Sequence, residues 1–182
     1  MLKHKGMNGA LSDGVTGCQL AIITIIEAVN LEELKAFLMR ANMSHATGTA
    51  KTTEEADGSR TIEYAEDDYR MHDNFFGGEP YGGRLVVFHK GQPIFIEVYY
   101  GQTSRPAEAV YDFLREALQY PDEDNPFRGP TEYKKDNLTY KSTTEGDVAN
   151  HTVKEYIYDG DKEIYWAVVI GGLIDQNARG TM

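Results

Sequence analysis

Two glutamates and an arginine are the side chains of this sequence best placed to do chemistry. Glu97 lies inside the apolar stretch FIEVYY, and Glu79 lies in the glycine-rich stretch FFGGEPYGGR. Arg128 lies in PFRGP. A carboxyl group can act as a general acid or base, and a guanidinium can hold an anionic group. If the chain is an enzyme, which these residues alone leave undecided, it acts on a small polar or anionic substrate through Glu97 or Glu79.

The same region also predicts a binding site. Strand alternation places Phe95, Glu97 and Tyr99 on one face, where a carboxyl group and aromatic rings can line a pocket for a small ligand or a protein partner. The predicted contacts are Glu79, Tyr81, Arg84, Tyr99 and Arg128. If the helices cover this face instead, Glu97 forms a structural ion pair with Arg84 or Arg128.

Nucleotide binding and calcium binding do not fit the motifs. Gly78 and Gly83 have the spacing of a Walker A glycine pair, but Arg84 and Leu85 occupy the places of the required lysine and hydroxyl residue. The residues that follow favour a strand, whereas a phosphate loop leads into a helix. The acidic run Asp122–Asn125 lacks the ligand spacing of a calcium loop, so a solvated turn is the preferred interpretation.

The histidines give two interpretations. His72 lies beside Asp73, and His151 lies close to Asp147, so the four side chains could meet and bind a metal. Histidines used for packing or exposed at the surface are the preferred interpretation. The sequence therefore predicts no metal and no cofactor.

Composition indicates a folded chain with few possible partners. The 182 residues include 41% hydrophobic and 26% charged residues, which is typical of one globular domain. A net charge of -11 repels phosphate backbones, so no direct nucleic-acid partner is expected. The apolar run Leu20–Ile26 is too short to span a membrane, and the single Cys18 suits a reducing compartment. We expect a cytoplasmic protein without a membrane partner; its oligomeric state is left open.

Two helices are predicted from capping residues and apolar spacing. Asn30 is a good N-cap with Glu33 three residues later, so a helix should run from Leu31 to about Ala41. Pro106 suits the first turn of a second helix, and Pro121 ends it. The apolar stripe of this second helix consists of Val110, Phe113, Leu114, Ala117 and Leu118.

Strands are predicted in both halves of the chain. The stretch 84–101 indicates a hairpin that turns at Lys90-Gly91, since glycine permits the positive φ of a tight turn. Residues 48–60 are predicted to be a mobile connection or a ragged hairpin. Three further strands are predicted at 138–142, 153–158 and 163–170.

This order predicts an α+β fold with an internal duplication. Two helix-plus-three-strand units, 31–101 and 107–174, would form an antiparallel sheet with both helices on one face. They would lie in a single domain, 31–182, after an N-terminal extension, 1–30. Glu66 and His72 match Glu145 and His151 at an offset of about 79 residues, whereas the glycines of the two hairpin turns match at about 69.

The difference between these offsets predicts that 74–83 is an insertion present in one unit. A loop without a counterpart is free to bind a ligand, since loops on a rigid scaffold often carry function. Alternatively, the insertion covers a sheet edge or forms a bulge.

Several motifs taken together resemble a known family. The stretch FFGGEPYGGR, the hairpin VVFHKGQPIFIEVYYG, NPFRGP, EGD and IGGLI occur in the order seen in a bacterial domain family of unknown function. The matching positions are Phe76, Gly77, Gly78, Glu79, Tyr81, Gly83, Tyr99, Tyr100, Gly101, Phe127, Arg128, Gly129, Pro130, Glu145, Gly146 and Asp147.

The resemblance implies a regulatory or ligand-sensing role. Members of that family stand alone or follow a helix-turn-helix domain of the λ-repressor type. Only about thirty residues precede the first predicted helix here, so we expect no DNA-binding domain of its own. A cytoplasmic module that binds a small ligand or a protein is the resulting prediction, with the enzyme as the alternative.

Overall fold

The computed structural model describes residues 29–122 and 126–174. The predictions on Cys18, on the apolar run 20–26, on most of the N-terminal extension and on the last three residues of the acidic run, 123–125, lie outside these residues. Helix α1 is Leu31–Ala46 and helix α2 is Ala107–Ala117. The side chain of Asn30 accepts hydrogen bonds from the backbone amides of Glu32 and Glu33, which confirms the predicted N-cap.

Nine strands in the described residues form one antiparallel sheet. They are β1 (Lys51–Glu54), β2 (Arg60–Glu66), β3 (Tyr69–Gly77), β4 (Tyr81–His89), β5 (Gln92–Thr103), β6 (Glu132–Lys135), β7 (Leu138–Asp147), β8 (Asn150–Asp159) and β9 (Lys162–Leu173). Their order across the sheet is β1-β2-β3-β4-β5-β9-β8-β7-β6. The α+β class is therefore confirmed. The predicted count of three strands per helix is wrong: five strands follow α1 and four follow α2.

The two parts of the chain meet at the pairing of β5 with β9. Tyr99 is opposite Val169 in this pair, and the ladder extends from Phe95 to Thr103 on β5. The sheet therefore continues from the strands that follow α1 to those that follow α2.

Both helices pack on the same face of the sheet. The apolar side of α1 contacts a cluster that includes Val169, and the apolar side of α2 contacts a cluster that includes Tyr165 and Ala167. These three residues alternate along β9 and so point to one face. Neither described helix is long and apolar enough to cross a membrane.

The stretch FFGGEPYGGR is the end of the β3–β4 hairpin. Phe75 pairs with Gly83, and Gly77 pairs with Tyr81, so most of the stretch belongs to the ladder. The prediction of an inserted loop is therefore wrong. It arose because the sequence match aligned Asp67, in the β2–β3 turn, with Gly146, near the end of β7, although these residues lie at different places in the meander.

The region 48–60 forms the β1–β2 hairpin, one of its two predicted forms. Lys51 pairs with Glu63 and Glu54 pairs with Arg60. Strands β1 and β6, with four residues each, lie at the two edges of the sheet. Short, charged edge strands discourage pairing with other chains.

Candidate functional site

A cavity of about 330 Å³ lies between the two helices and the sheet. Asn42 and His45 line it from α1, and Tyr111 and Leu114 line it from α2. The sheet contributes Asp73, Leu85, Glu97, Tyr99 and Val169, and the segment after α2 contributes Phe127 and Arg128. Six of its lining residues are solvent-exposed, so its opening lies among β1, the β3–β4 turn and the C-terminal parts of the two helices. They are His45, Gly48, Thr52, Gly77, Gly78 and Arg115.

Four of the six residues singled out from the sequence line this cavity. They are Tyr81, Glu97, Tyr99 and Arg128. The alternation predicted for β5 is correct, since Phe95, Glu97 and Tyr99 all belong to the covered face.

Arg84 and Glu79 do not line the cavity. Arg84 is exposed, whereas its neighbour Leu85 is buried and lines the cavity, so Arg84 points to the opposite face of the sheet. The carboxylate of Glu79 accepts hydrogen bonds from the backbone amide of Thr103, at 2.8 Å, and from the hydroxyl of Tyr111. Glu79 therefore contacts the cavity only through Tyr111.

Asp73 is a cavity residue that was considered from the sequence only as a companion of His72. The residue is 3% exposed, and its Oδ1 accepts a hydrogen bond of 2.5 Å from the Tyr99 hydroxyl. Burial raises the pKa of Asp73 to about 6, although the Tyr99 hydrogen bond acts in the opposite direction. The alternation of Tyr69, Met71 and Asp73 along a strand was the signal that could have placed it on the covered face.

His45 lies next to Asp73 without forming a close ion pair. Its Nδ1 is 4.0 Å from Oδ2 of Asp73. Partial desolvation lowers the pKa of His45, and the charges of Arg128 and Arg115 act in the same direction, although 44% of its side chain is exposed. His45 is therefore neutral at neutral pH and does not balance the charge of Asp73.

Glu97 contacts a histidine, in contrast to the ion pair with Arg84 or Arg128 expected from the sequence. Its Oε1 lies 3.1 Å from Nε2 of His151, and both side chains are buried. The two residues are on β5 and β8, on either side of Gly171 in β9. A Cβ atom at Gly171 would lie 2.6 Å from Cγ of Glu97, so this glycine leaves the space that the pair needs.

His151 is a packing histidine. Its ring stacks on Phe127, at a centroid distance of 3.8 Å, and on Phe95, at 5.8 Å. Within residues 29–122 and 126–174, no group of three or more histidine, cysteine, aspartate or glutamate side chains is placed to hold a metal ion. The structure thus places His151 on Glu97 and Phe127, and gives no support to the metal interpretation.

Arg128 forms a bidentate ion pair with Glu155, a residue not predicted from the sequence. Nη2 of Arg128 lies 2.6 Å from Oε1 of Glu155, and Nε lies 3.0 Å from Oε2. The same carboxylate accepts hydrogen bonds from the hydroxyls of Tyr140, at 2.9 Å, and Tyr165, at 2.7 Å. Burial opposes ionisation of Glu155, but the charge and hydrogen bonds of Arg128 lower its pKa overall.

Gly83 provides space for one of the cavity tyrosines. A Cβ atom there would lie 2.7 Å from the hydroxyl oxygen of Tyr99 and 2.5 Å from the backbone oxygen of Asn74. Tyr99 could then no longer lie over the strand and reach Asp73. This close approach is a structural reason for one of the glycines in FFGGEPYGGR.

Comparison with known proteins gives one family. A family described as a domain of unknown function matches residues 73–174. No curated protein and no solved structure matches the chain. The matched range begins at Asp73 and includes the Arg128–Glu155 pair, whereas α1, which carries His45, lies outside it.

Proposed function

This chain belongs to the DUF5680 family, whose description names no function, and we propose that it is a module that binds a small molecule. The binding site in this proposal is the cavity between the helices and the sheet. The observation that carries it is the presence of buried polar side chains, above all Asp73, among aromatic and aliphatic side chains in that cavity.

The size and lining of the cavity support this proposal. Its volume of about 330 Å³ falls at the lower end of the range of small-molecule sites, which runs from roughly 300 to 1,000 Å³. Such sites combine an apolar lining with a few polar groups that orient the ligand. Of the two kinds of partner expected from the sequence, a small molecule fits a concave site better than a protein does.

The proposed ligand contacts are Asp73, Tyr81, Tyr99 and Arg128. The first three supply a carboxyl group and two hydroxyls, and Arg128 keeps N–H groups that do not bond Glu155. Glu79 and Arg84 are omitted from this set because neither lines the cavity.

The wider role in this proposal is cytoplasmic regulation or sensing in bacteria. The resemblance described above supports it by analogy only, since that family contains members joined to helix-turn-helix domains. A ligand that fills the cavity would contact both helices and the sheet, and it would favour the folded form by mass action.

The proposal also retains an internal duplication, with an alignment different from the one suggested by the sequence match. The supporting observations are register shifts at equivalent places, between Val87 and Phe88 in the β4–β5 pair and between Ile157 and Tyr158 in the β8–β9 pair. The first shift lies just before the β4–β5 turn, and the second lies just before the β8–β9 turn.

A thermal-shift screen of metabolites with two matched variants tests ligand binding. Thr52 lines the cavity near its opening on β1, and Thr53 is the next residue on the same strand. We expect Thr52→Trp to obstruct the cavity and abolish the stabilisation given by the hits. Thr53→Trp, whose side chain points to the other face, should preserve it. The proposal fails if every hit stabilises both variants as it stabilises the wild type.

Acid–base catalysis is a second candidate function. The observation that favours it is the raised pKa of Asp73, about 6, in contact with the Tyr99 hydroxyl. Such a group can exchange a proton near neutral pH. In this version Asp73 or Glu97 is the acid or base and Arg128 holds an anionic group. Mass spectrometry of each hit after incubation with the protein distinguishes conversion from binding alone.

A further inference from the structure

Two carboxylates, Asp73 and Glu97, and three arginines, Arg60, Arg115 and Arg128, line the cavity, and they differ in burial and in partners. Asp73, Glu97 and the neighbouring Glu155 are all buried, with exposed fractions of 3%, 4% and 0%. Arg115 is 52% exposed and pairs with Asp112, Arg60 donates to the backbone oxygen of Gly77 and lies over the Phe75 ring, and Arg128 is 22% exposed. A buried carboxylate without a cation is costly, because the low-dielectric interior does not replace its hydration.

The charge of Arg128 is already balanced by Glu155. Two of its N–H groups bind that carboxylate at 2.6 and 3.0 Å, in the fork geometry that gives the strongest pairs. Its attraction for a ligand anion is therefore weakened by the adjacent negative charge.

Asp73 has no such partner. Its Oδ1 accepts the Tyr99 hydroxyl, and the nearest basic group to Oδ2 is the neutral His45, at 4.0 Å. The other charged groups that act on it are Glu97, which disfavours its ionisation, and Arg128, which favours it but is paired elsewhere. Among the acceptors of the cavity, Oδ2 of Asp73 is thus the one that a bound cation would stabilise most.

Aromatic rings in the same lining also favour a cation. The rings are those of Tyr81, Tyr99, Tyr111 and Phe127, whereas the ring of Phe75, which also lines the cavity, already lies under Arg60. The face of an aromatic ring attracts a positive charge through its quadrupole, most strongly when water is excluded. The described residues hold no group of three or more histidine, cysteine, aspartate or glutamate side chains placed for a metal ion, so the inference concerns organic cations.

We propose that the cavity binds an organic cation, a primary or secondary amine on an apolar body, with Asp73 as the acceptor of its N–H groups. This inference rests on the proposed function and specifies its ligand class. The amine donates to Oδ2 of Asp73, and its apolar part packs among the aromatic rings. No bond is formed or broken in this interaction.

Three probes of similar shape and different charge test the ligand class. They are 2-phenylethylamine, 2-phenylethanol and 3-phenylpropanoate, and their dissociation constants are measured at about pH 7.5 by calorimetry or NMR titration. We expect the amine to bind at least about tenfold more tightly than the alcohol, and the carboxylate to bind most weakly. The proposal is overturned if the carboxylate or the alcohol binds as tightly as the amine, or if no probe binds.

The variant Asp73→Asn, with Glu63→Gln as its control, tests whether Asp73 is the acceptor of the amine. The substituted amide would keep an acceptor for the Tyr99 hydroxyl but lack the charge, so the preference for the amine should disappear. Glu63 is a partly exposed carboxylate on β2, and its loss should leave the preference intact. A preference that persists in Asp73→Asn overturns the role of this residue. The comparison of the three probes on the wild type needs no variant and stands even if Asp73→Asn does not fold.

The screen described above separates this inference from the function on which it rests. If the hits are neutral or anionic and Thr52→Trp abolishes their stabilisation, the result supports the cavity as the binding site and rejects an organic cation as its ligand. If no hit is sensitive to Thr52→Trp, the binding function itself is rejected.

Discussion

Asp73 lies in a position where its charge opposes folding. The residue is 3% exposed and pairs with Leu85 in the middle of the β3–β4 ladder. The hydroxyl of Tyr99 is its one close donor among the described residues, at 2.5 Å. One hydrogen bond compensates only part of the hydration that a carboxylate loses, which is why burial is the main cause of its raised pKa.

The raised pKa predicts how stability depends on pH. A carboxyl group whose pKa rises from 3.8 unfolded to about 6 folded favours folding most at low pH. This contribution is fully present below about pH 4 and is lost as the pH rises through about 6. Relative to Asp73→Asn, the wild type should therefore lose roughly 2 to 3 kcal/mol of unfolding free energy between about pH 4 and about pH 7.

Urea denaturation of both proteins across this pH range makes the measurement. The variant is the reference because it retains every other titrating group, including His45, whose lowered pKa acts in the opposite direction as the pH falls. A difference between the two proteins that stays constant with pH would contradict the assignment of a raised pKa to Asp73.

Alanine substitution should affect stability differently at two glycines of the β3–β4 hairpin, Gly83 and Gly78. At Gly83 a Cβ atom would meet Phe75, Tyr99 and the backbone of Asn74 at 2.5 to 2.7 Å, whereas at Gly78 nothing lies within 4 Å. Gly83→Ala should cost roughly 1 to 3 kcal/mol, because the contacts are too close for relaxation of one side chain alone. Gly78→Ala should change stability by less than about 0.5 kcal/mol.

Chemical denaturation of the two variants against the wild type checks this prediction. Near-UV circular dichroism adds a specific readout, because displacement of Tyr99 should alter the aromatic signal only in Gly83→Ala. Equal effects at the two positions would show that Gly83 does not provide space for Tyr99.

Among the elements, the segment that follows α2 is fixed to the sheet by a few contacts. Arg128 binds Glu155 on β8, and Phe127 stacks on His151 on the same strand. From α1, the Asn42 side chain donates to the carbonyls of Pro126 and Phe127, at 2.9 and 3.2 Å. The segment thus connects β8 to α1 and forms one wall of the cavity.

Loss of the Arg128 charge should be much more costly than loss of a surface charge. Arg128→Met leaves the fully buried Glu155 without its cation, for which we expect a cost of roughly 3 to 5 kcal/mol. Lys35→Met breaks the exposed Lys35–Glu32 pair and should cost less than about 1 kcal/mol. Denaturant unfolding of both variants makes the comparison, and a small cost for Arg128→Met would show that the pair does not fix this segment.

At the scale of the whole molecule, the cavity exists because the two helices lie on one continuous sheet. The β5–β9 pairing brings Tyr99 opposite Val169, and both residues line the cavity. The family match begins only at Asp73, yet α1 and β1 supply one side and part of the opening. The site is therefore a property of the entire described fold and not of the matched range alone.

The sequence by itself determined the features that depend on neighbouring residues. The N-cap at Asn30, the helix after Pro106 and the β4–β5 hairpin at Lys90-Gly91 all follow from local conformational preferences. So does the common face of Glu97 and Tyr99, since side chains alternate along any strand. The predicted insertion at 74–83 was wrong because similar residues lie near two different turns. The sequence of a turn does not reveal which strands of the meander it joins.

Only the tertiary structure decided which charged groups meet. Tyr99 lies 26 positions after Asp73 in the chain, and His151 lies 54 after Glu97. Glu155 lies 27 positions after Arg128, on a strand whose sequence shows no sign of its partner. Sheet order and helix packing bring these pairs together, and they also place Asp73 and Arg128 in one cavity. Burial, which raises the pKa of Asp73, is likewise a property of the assembled fold, because it depends on every element that excludes water from the site.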